Sequence, residues 1–375
     1  MTTLRSYLIR FCSVSLIALA LLAVSRAGAE PAMPRYEHIF VIILENKGYD
    51  QIMTHPEWTP VLHRLADEYG SASQFYAEVH SSEANYIAML GGDTFGIHDD
   101  DAFFCKQGVK NKFCGKTDEA DYADHNLTTK SLMDQLAEKG LTWKAYMEDI
   151  PSAGSLAPRW PTADYPVKGQ PNELYAAKHN GFVHFARVHD EPFIRLSEHL
   201  VGFSQFDKDL ADDHLPNYAH IVPNQCNDMH GRGNKDGATP ADCIESTNLP
   251  GLIRRGDTEV GMLVDKIMHA KVWSEPGNTA IVVTLDENNK EERGSGAQGC
   301  CGYDPRSRAN FGGGHIVTLV IANHGPRHVA DPTPYNHYSL LRTTEAAFGI
   351  TEYLGHAADT DKGVVSMTPL FAVKK

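Results

Sequence analysis

The chain has 375 residues, 42% hydrophobic, 22% charged and 9% aromatic, with a net charge of −14. This is the composition of a folded globular protein, long enough for one large domain or two modest ones. So acidic a chain does not attract polyanions, which argues against a nucleic-acid partner.

At the N-terminus, Arg5 and Arg10 precede an apolar run from Phe11 to Val24, and Ala27-Gly28-Ala29 follows. That order predicts a secretory signal peptide over residues 1–29, cut before Glu30, and hence a secreted or periplasmic protein. The apolar run is short for an uncleaved anchor, and no later stretch is long and apolar enough to span a bilayer, so no stable membrane insertion is expected. Loss of the leader removes three arginines and no acids, leaving 31 basic against 48 acidic side chains, a net of −17. Seven cysteines become six without Cys12, an even number that suits disulfides in an exported protein. Close spacing suggests Cys105–Cys114 and Cys226–Cys243, leaving Cys300 with Cys301. Six cysteines allow about 15 pairings, so this one is an expectation.

In chain order, strand-like runs fall at His38–Leu44, Thr142–Met147, Tyr218–Val222, Thr279–Leu285 and His315–Ala322. Helical spacing predicts helices over Thr129–Lys139, over Asp257–Val272 behind an Asp257 cap, and over Ser339–Phe348. Gly- and Pro-rich segments at 151–172 and 224–256 read as long loops over one face of the sheet. The acidic runs Asp99-Asp100-Asp101 and Asp207–Asp213 read as solvated surface, with calcium binding the minor alternative. Strands alternating with helices predict one α/β domain over residues 30–375, a three-layer αβα sandwich with a mainly parallel central sheet.

Two of these strands end in the same chemistry. VIILEN (41–46) runs from apolar residues into Glu45 and Asn46, and VVTLDEN (282–288) runs into Asp286 and Glu287. In parallel α/β sheets ligands bind beyond the carboxyl ends of the strands, so the two pairs are expected on one edge. Either pair alone could be a helix cap. Together, three carboxylates and an amide repel one another unless a cation joins them, and their oxygens suit a divalent ion such as Zn, Ca, Mg or Mn.

In HSSEANYIAMLGG (80–92), Ser82 stands just before an apolar helical run. A serine at a helix N-terminus is most often an N-cap, but there the dipole also favours an anion. Beside a divalent cation such a hydroxyl can lose its proton and attack phosphorus. Asn85 is then placed to donate to a phosphoryl oxygen.

ENKGYD (45–50) and HSSEANYIAMLGGDTFGI (80–97) resemble segments of the phosphoesterase family that groups secreted acid phosphatases with bacterial phospholipases C. YAAKHNGFVHF (175–185), LPNYAHIVPNQCNDMH (215–230), RRGDTEVGMLVDKIM (254–268), TLDENN (284–289), GGGHIVTLVIAN (312–323) and YNHYSLLRTTEAAFGI (335–350) follow it in order. The resemblance implies an alkaline-phosphatase-like fold and a metal-assisted covalent mechanism. Glu45, Asn46, Asp286, Glu287 and Ser82 would hold the metal, with Ser82 as nucleophile. Ser81 and Ala84 stand where the family has prolines, and some relatives have Asp in place of Glu287. His230 and His315 lie in matching segments and are candidates to stabilise the phosphoryl group or move a proton. His80, Asp257 and His337 are candidates for supporting positions, and Asp50 for bracing the loop after Glu45.

The reading is an acid phosphatase acting on phosphomonoesters. The alternatives are a phospholipase C or other phosphodiesterase on the same scaffold, and a non-catalytic metal-binding relative. Against the phospholipase, little chain follows FGI to hold extra C-terminal β domains. Against the non-catalytic relative stand the intact Ser82, Asn85 and four oxygen ligands.

Overall fold

In the computed structural model, residues 32–190, 194–235, 237–289, 298–308 and 311–373 are described; the leader lies outside them. From Met33 on, the chain forms one unit. Its strands are β1 (His38–Leu44), β2 (Gly70–Ala77), β3 (Trp143–Met147), β4 (Arg159–Trp160), β5 (Tyr175–Ala176), β6 (Leu200–Val201), β7 (Tyr218–Val222), β8 (Thr279–Leu285), β9 (Gly314–Ala322), β10 (Val329–Asp331) and β11 (Tyr335–Asn336). The longer helices are α1 (Pro60–Glu68), α2 (Ser82–Gly91), α3 (Leu132–Glu138), α4 (Phe203–Ala211), α5 (Glu245–Met268) and α6 (His337–Ala347).

Nine strands form one sheet in the order β10-β2-β9-β8-β1-β7-β3-β6, with β11 also on β2. Only β9 runs antiparallel to its neighbours, β8 and β2. β1 (HIFVIIL) and β8 (TAIVVTL) are buried along almost their whole length. Unbroken burial of this kind marks central strands of a sheet covered on both faces. The cover comes from two helical groups, α1 packed on α5, and α2 packed on α3 and α6.

β2 (GSASQFYA) has no counterpart among the predicted strands. It opens with Gly and Ser, lacks clean alternation, and carries an irregularity between Ala72 and Phe75. Its pairing with β9, β10 and β11 holds it in the sheet. The predicted helix at Asp257 is also corrected. α5 starts twelve residues earlier, at Glu245, and spans a break at Asn248 just before Pro250, so the segment 245–256 is helix and not loop. Asp257 sits inside α5 and caps a different helix: its carboxylate accepts from the Val61 (3.0 Å) and Leu62 (2.8 Å) N–H groups at the start of α1. The cap signature was real, but the orphan donors it serves arrive through tertiary packing. It orients no site histidine.

The pairs Cys105–Cys114, Cys226–Cys243 and Cys300–Cys301 are disulfides. No helix among the described residues is long and apolar enough to cross a membrane.

Candidate active site

β1 lies between β7 and β8, parallel to both, with Leu44 in register with Leu285. The residues that follow must therefore emerge side by side. Asn46 turns the chain with φ +50°, and its N–H donates to Asp286 Oδ1 at 3.1 Å. The Glu45 N–H donates to the carbonyl of Asp228, just beyond β7, at 2.7 Å. Glu45, Asp228, Asp286 and Glu287 are all fully buried.

Ser82 reaches this edge from across the sheet's end. Ser81 is extended at the N-cap and Ser82 is the first residue of α2. Its Oγ lies 3.2 Å from Glu45 Oε2 and 3.2 Å from Glu287 Oε1. The Tyr86 hydroxyl, one turn on, donates to Glu45 Oε1 at 2.7 Å. His80 Nδ1 contacts Glu287 Oε2. His337, the first residue of α6, has Nε2 2.8 Å from the Asp286 carbonyl, while its backbone N–H donates to Glu78. It therefore braces the β8 terminus from behind, and Asn336 is the residue that caps α6.

Two histidines close the remaining side. His179 Nε2 is 3.4 Å from Glu45 Oε1, and its Nδ1 is 3.7 Å from Asp228 Oδ2. The His230 ring lies 5.6 Å from that of His179, and ligand atoms of Glu45, His179 and His230 fall within 4.8 Å of one another. His230 Nδ1 faces the Gly231 carbonyl at 3.0 Å, a geometry that leaves Nε2 as the acceptor in the neutral ring.

The electrostatics are those of a cluster built around a positive charge. Burial, then Asp286 and Asp228, push the Glu45 carboxyl well up. Burial and Glu287 push Asp286 up to about 7. Burial also raises Asp228. Burial alone would depress the Lys178 ammonium, yet Asp100 and the carboxylates of Glu45, Glu287 and Asp286 hold it above its usual range. His179 and His230 are pushed well down by burial, then by Lys178. Asn46 Oδ1, Asp228 Oδ2, Asp286 Oδ2 and His179 Nε2 are buried without hydrogen-bond partners. Such atoms are costly inside a protein, and a divalent cation at this edge would satisfy those it reached. The donor set, rich in carboxylate oxygen with imidazole at its margin, fits one.

Beside the cluster lies a cavity of about 160 Å³, lined in part by Glu83, Asp100, Lys178, His184, His230 and Arg232. It brings cationic side chains next to the Ser82 edge.

The structure thus gathers Glu45, Asn46, Ser82, Asp286, Glu287, His80 and His230 at one edge, with His337 behind it. Three candidates stand apart. Asn85 spends its amide on its own loop, accepting from the Glu78 (2.9 Å) and Val79 (3.3 Å) N–H groups and donating to the Val79 (2.7 Å) and Ser81 (3.3 Å) carbonyls. That corrects the expectation of a donor to a phosphoryl oxygen; it holds the turn that delivers Ser82. His315 is stacked on Tyr49 at 4.1 Å and packed near Tyr76, with Nε2 3.0 Å from the Ser73 carbonyl. Asp257 is the α1 cap already described. His179, Asp228, Tyr86 and Lys178 join the site without having been singled out in the sequence. KHN (178–180) and NDMH (227–230) contain three of them, but lone residues in loops carry no periodicity to mark them.

The sequence profile described as Phosphoesterase family matches residues 53–247. The phosphatidylinositol-3-phosphatase of Mycobacterium tuberculosis is 26% identical over 343 residues, covering 90% of this chain and 86% of that one. The phosphate-repressible acid phosphatase of Penicillium chrysogenum is 26% identical over 338 residues, and a probable acid phosphatase of Kluyveromyces lactis 28% over 336. Each alignment covers 87% of this chain, which spans 64% and 61% of their respective lengths. Among solved structures, the PsFucS1 sulfatase from Pseudoalteromonas sp. aligns with a TM-score of 0.50 at 11% identity, over 91% of this chain and 72% of that one. At that identity the likeness is one of fold.

Proposed function

Because the chain belongs to the phosphoesterase family, we propose that it is an exported, metal-dependent acid phosphatase that hydrolyses phosphomonoesters through a phosphoserine at Ser82. The observation that carries this reading is Ser82 Oγ, 3.2 Å from both Glu45 and Glu287 at the first turn of α2. A hydrolase of phosphoric esters needs a nucleophile held against charge-stabilising groups beside a space for substrate; the next residue, Glu83, lines the cavity that Lys178 and His230 also line.

Glu45, Asn46, Asp286 and Glu287, with Ser82, are the residues that would hold the divalent cation. When bound, such an ion lowers the pKa of an adjacent hydroxyl and offsets phosphoryl charge. The protein's own groups do the rest. Glu45 Oε2 and Glu287 Oε1 fix the Ser82 hydroxyl, and His80 and Tyr86 fix those carboxylates in turn. Attack by Ser82 Oγ forms the Oγ–P bond as the ester P–O bond breaks; the hydroxyl proton passes by way of His230 Nε2 to the departing oxygen, which leaves through the cavity as the alcohol. The α2 N-terminus and Lys178 face the non-bridging oxygens. In the second step a water oxygen bonds to phosphorus as the Oγ–P bond breaks, with neutral His230 Nε2 accepting the water proton and passing it to Ser82 Oγ, which recovers its hydroxyl.

Three disulfides support export. The mycobacterial relative's name adds phosphorylated inositides to the candidate monoesters. The test is a Ser82→Ala variant assayed on an aryl phosphate, with acid-quenched wild type examined for phosphate on Ser82. We expect turnover to fall by on the order of 10⁴-fold or more, and full activity in the variant sinks the assignment. Faster wild-type hydrolysis of bis-aryl phosphate or phosphatidylcholine than of the monoester would move the substrate class to diesters.

A further inference from the structure

Ser82 is followed by Glu83, whose side chain enters a second buried group that the phosphoryl-transfer scheme does not use. Glu83 Oε1 contacts His125 Nδ1 and lies 3.1 Å from His184 Nδ1. Behind His125, its Nε2 is 3.1 Å from Asp99 Oδ1. Glu83, His125 and His184 are essentially inaccessible and Asp99 is 7% exposed, which corrects the expectation that the 99–101 run is solvated surface. Asp101 is buried as well, accepting from the Gly115 and Lys116 N–H groups.

We propose that Glu83, His125 and His184 form a second divalent-cation site, of the kind that takes zinc. Three observations carry it. The ligand atoms of the three side chains fall within 4.8 Å of one another, buried and convergent. Glu83 Oε2 has no hydrogen-bond partner despite its burial, so one carboxylate oxygen of the group is left for a ligand to satisfy. Finally, His125 presents Nδ1 to the cluster while Nε2 faces the Asp99 carboxylate, the outer-sphere arrangement that fixes the tautomer and orientation of metal-bound histidines.

The donor set of two nitrogens and one carboxylate distinguishes this site from the oxygen-rich strand edge. It suits a borderline ion such as zinc better than calcium or magnesium. Glu83 and His184 line the cavity that His230 and Lys178 also line, so the fourth coordination position opens toward substrate. Three protein ligands with an open position is the pattern of a reactive rather than a purely structural zinc site. The two groups share no ligand, and the site does not depend on which phosphate ester the enzyme hydrolyses.

The full mature chain, loaded with zinc and desalted, is assayed for bound metal by mass spectrometry, side by side with His184→Gln and Asp286→Asn. We expect His184→Gln to lose one equivalent relative to wild type, and Asp286→Asn to lose a different one. Cobalt in place of zinc should give intense tetrahedral-type visible bands in wild type and Asp286→Asn that are absent from His184→Gln. If His184→Gln fails to fold, Asp99→Asn serves in its place, with zinc affinity expected to drop about 10- to 100-fold. Equal metal content and unchanged cobalt spectra in the His184 and Asp99 variants would overturn the proposal, making the cluster a histidine–carboxylate ion network only. Retention of all metal by Asp286→Asn would count against the strand-edge site and leave this one standing.

Discussion

Two buried carboxylate–imidazole groups flank the first turn of α2, one reached by Ser82 and the other by Glu83, and they are built in different ways. The strand-edge group is made by the sheet: β1 and β8 are adjacent, parallel and in register, so residues just past each strand have no choice but to meet. The second group is made by loops. His125, His184 and Asp99 come from segments outside the main sheet, and Glu83 from a helix that packs against them. A sheet-built site inherits the rigidity of the core, since register fixes every side chain to a face. A loop-built site depends on long-range contacts being satisfied one by one, which makes its occupant part of its own support. The strand edge is expected to keep its geometry when emptied, and the loop group to loosen.

The largest effect that sharpens this contrast is at Asp286. Its carboxylate is pushed up to about 7 by burial and by Glu287, and Oδ2 has no partner. Asp286→Asn should cost at least about 10³-fold in aryl phosphate turnover, by analogy with loss of other electrostatic groups that act on a transition state. In metal-stripped protein the same change should raise the unfolding temperature, because it removes one of several buried like charges. Opposite signs in the two assays are the mark of a cation site; a loss in both would mean that Asp286 is structural.

Why one group could be seen in the sequence and the other could not follows from the same contrast. VIILEN and VVTLDEN each pair an unbroken apolar run with adjacent oxygen donors, and the strand boundaries at His38–Leu44 and Thr279–Leu285 coincide with the observed ones. Ser82 was visible because a hydroxyl residue ahead of an apolar helical run is a local pattern. His179 ends a single 3₁₀ turn and Asp228 sits in a loop, both with a course set by packing, so nothing in their neighbours marked them. Asn85 and Asp257 carried correct local signals, a polar residue in a helix-start segment and a cap, but the groups they serve were misassigned. β2 was hidden because Gly70, Ser71 and Ser73 are poor strand formers that the sheet overrides.

A buried carboxylate remote from any metal group separates the effect of burial from that of a cation. Glu345 in α6 is pushed up to about 8, chiefly by burial; its Oε1 accepts from the Leu354 N–H at 2.9 Å and Oε2 has no partner. The unfolded chain ionises this group near 4.5, so between there and about 8 the native state holds a proton that the unfolded state has lost. Stability from this group therefore falls as pH rises through that window. Glu345→Gln keeps the acceptor and removes the titration. Relative to wild type, it should gain on the order of 3 kcal/mol in denaturant unfolding between pH 5 and pH 8. A parallel pH dependence in the two proteins would mean that Glu345 is ionised in the fold, and that the strand-edge carboxylates cannot be judged from burial.

The smallest effect concerns the cap that resembles a site residue in sequence. Asp257 satisfies two N–H groups at the start of α1 from the middle of α5. Asp257→Asn retains one acceptor oxygen and loses the negative charge at the helix N-terminus, and should cost about 1 kcal/mol of stability. kcat and KM should stay at wild-type values. Because α1 packs on α5 and neither supplies a ligand to the strand edge, a selective fall in kcat with unchanged stability would reveal a coupling between this helical layer and the Ser82 edge. With both kinetic constants unmoved, the site depends on the register of β1 and β8, on the turn that Asn85 holds and on the His337 brace, and not on the α1–α5 layer.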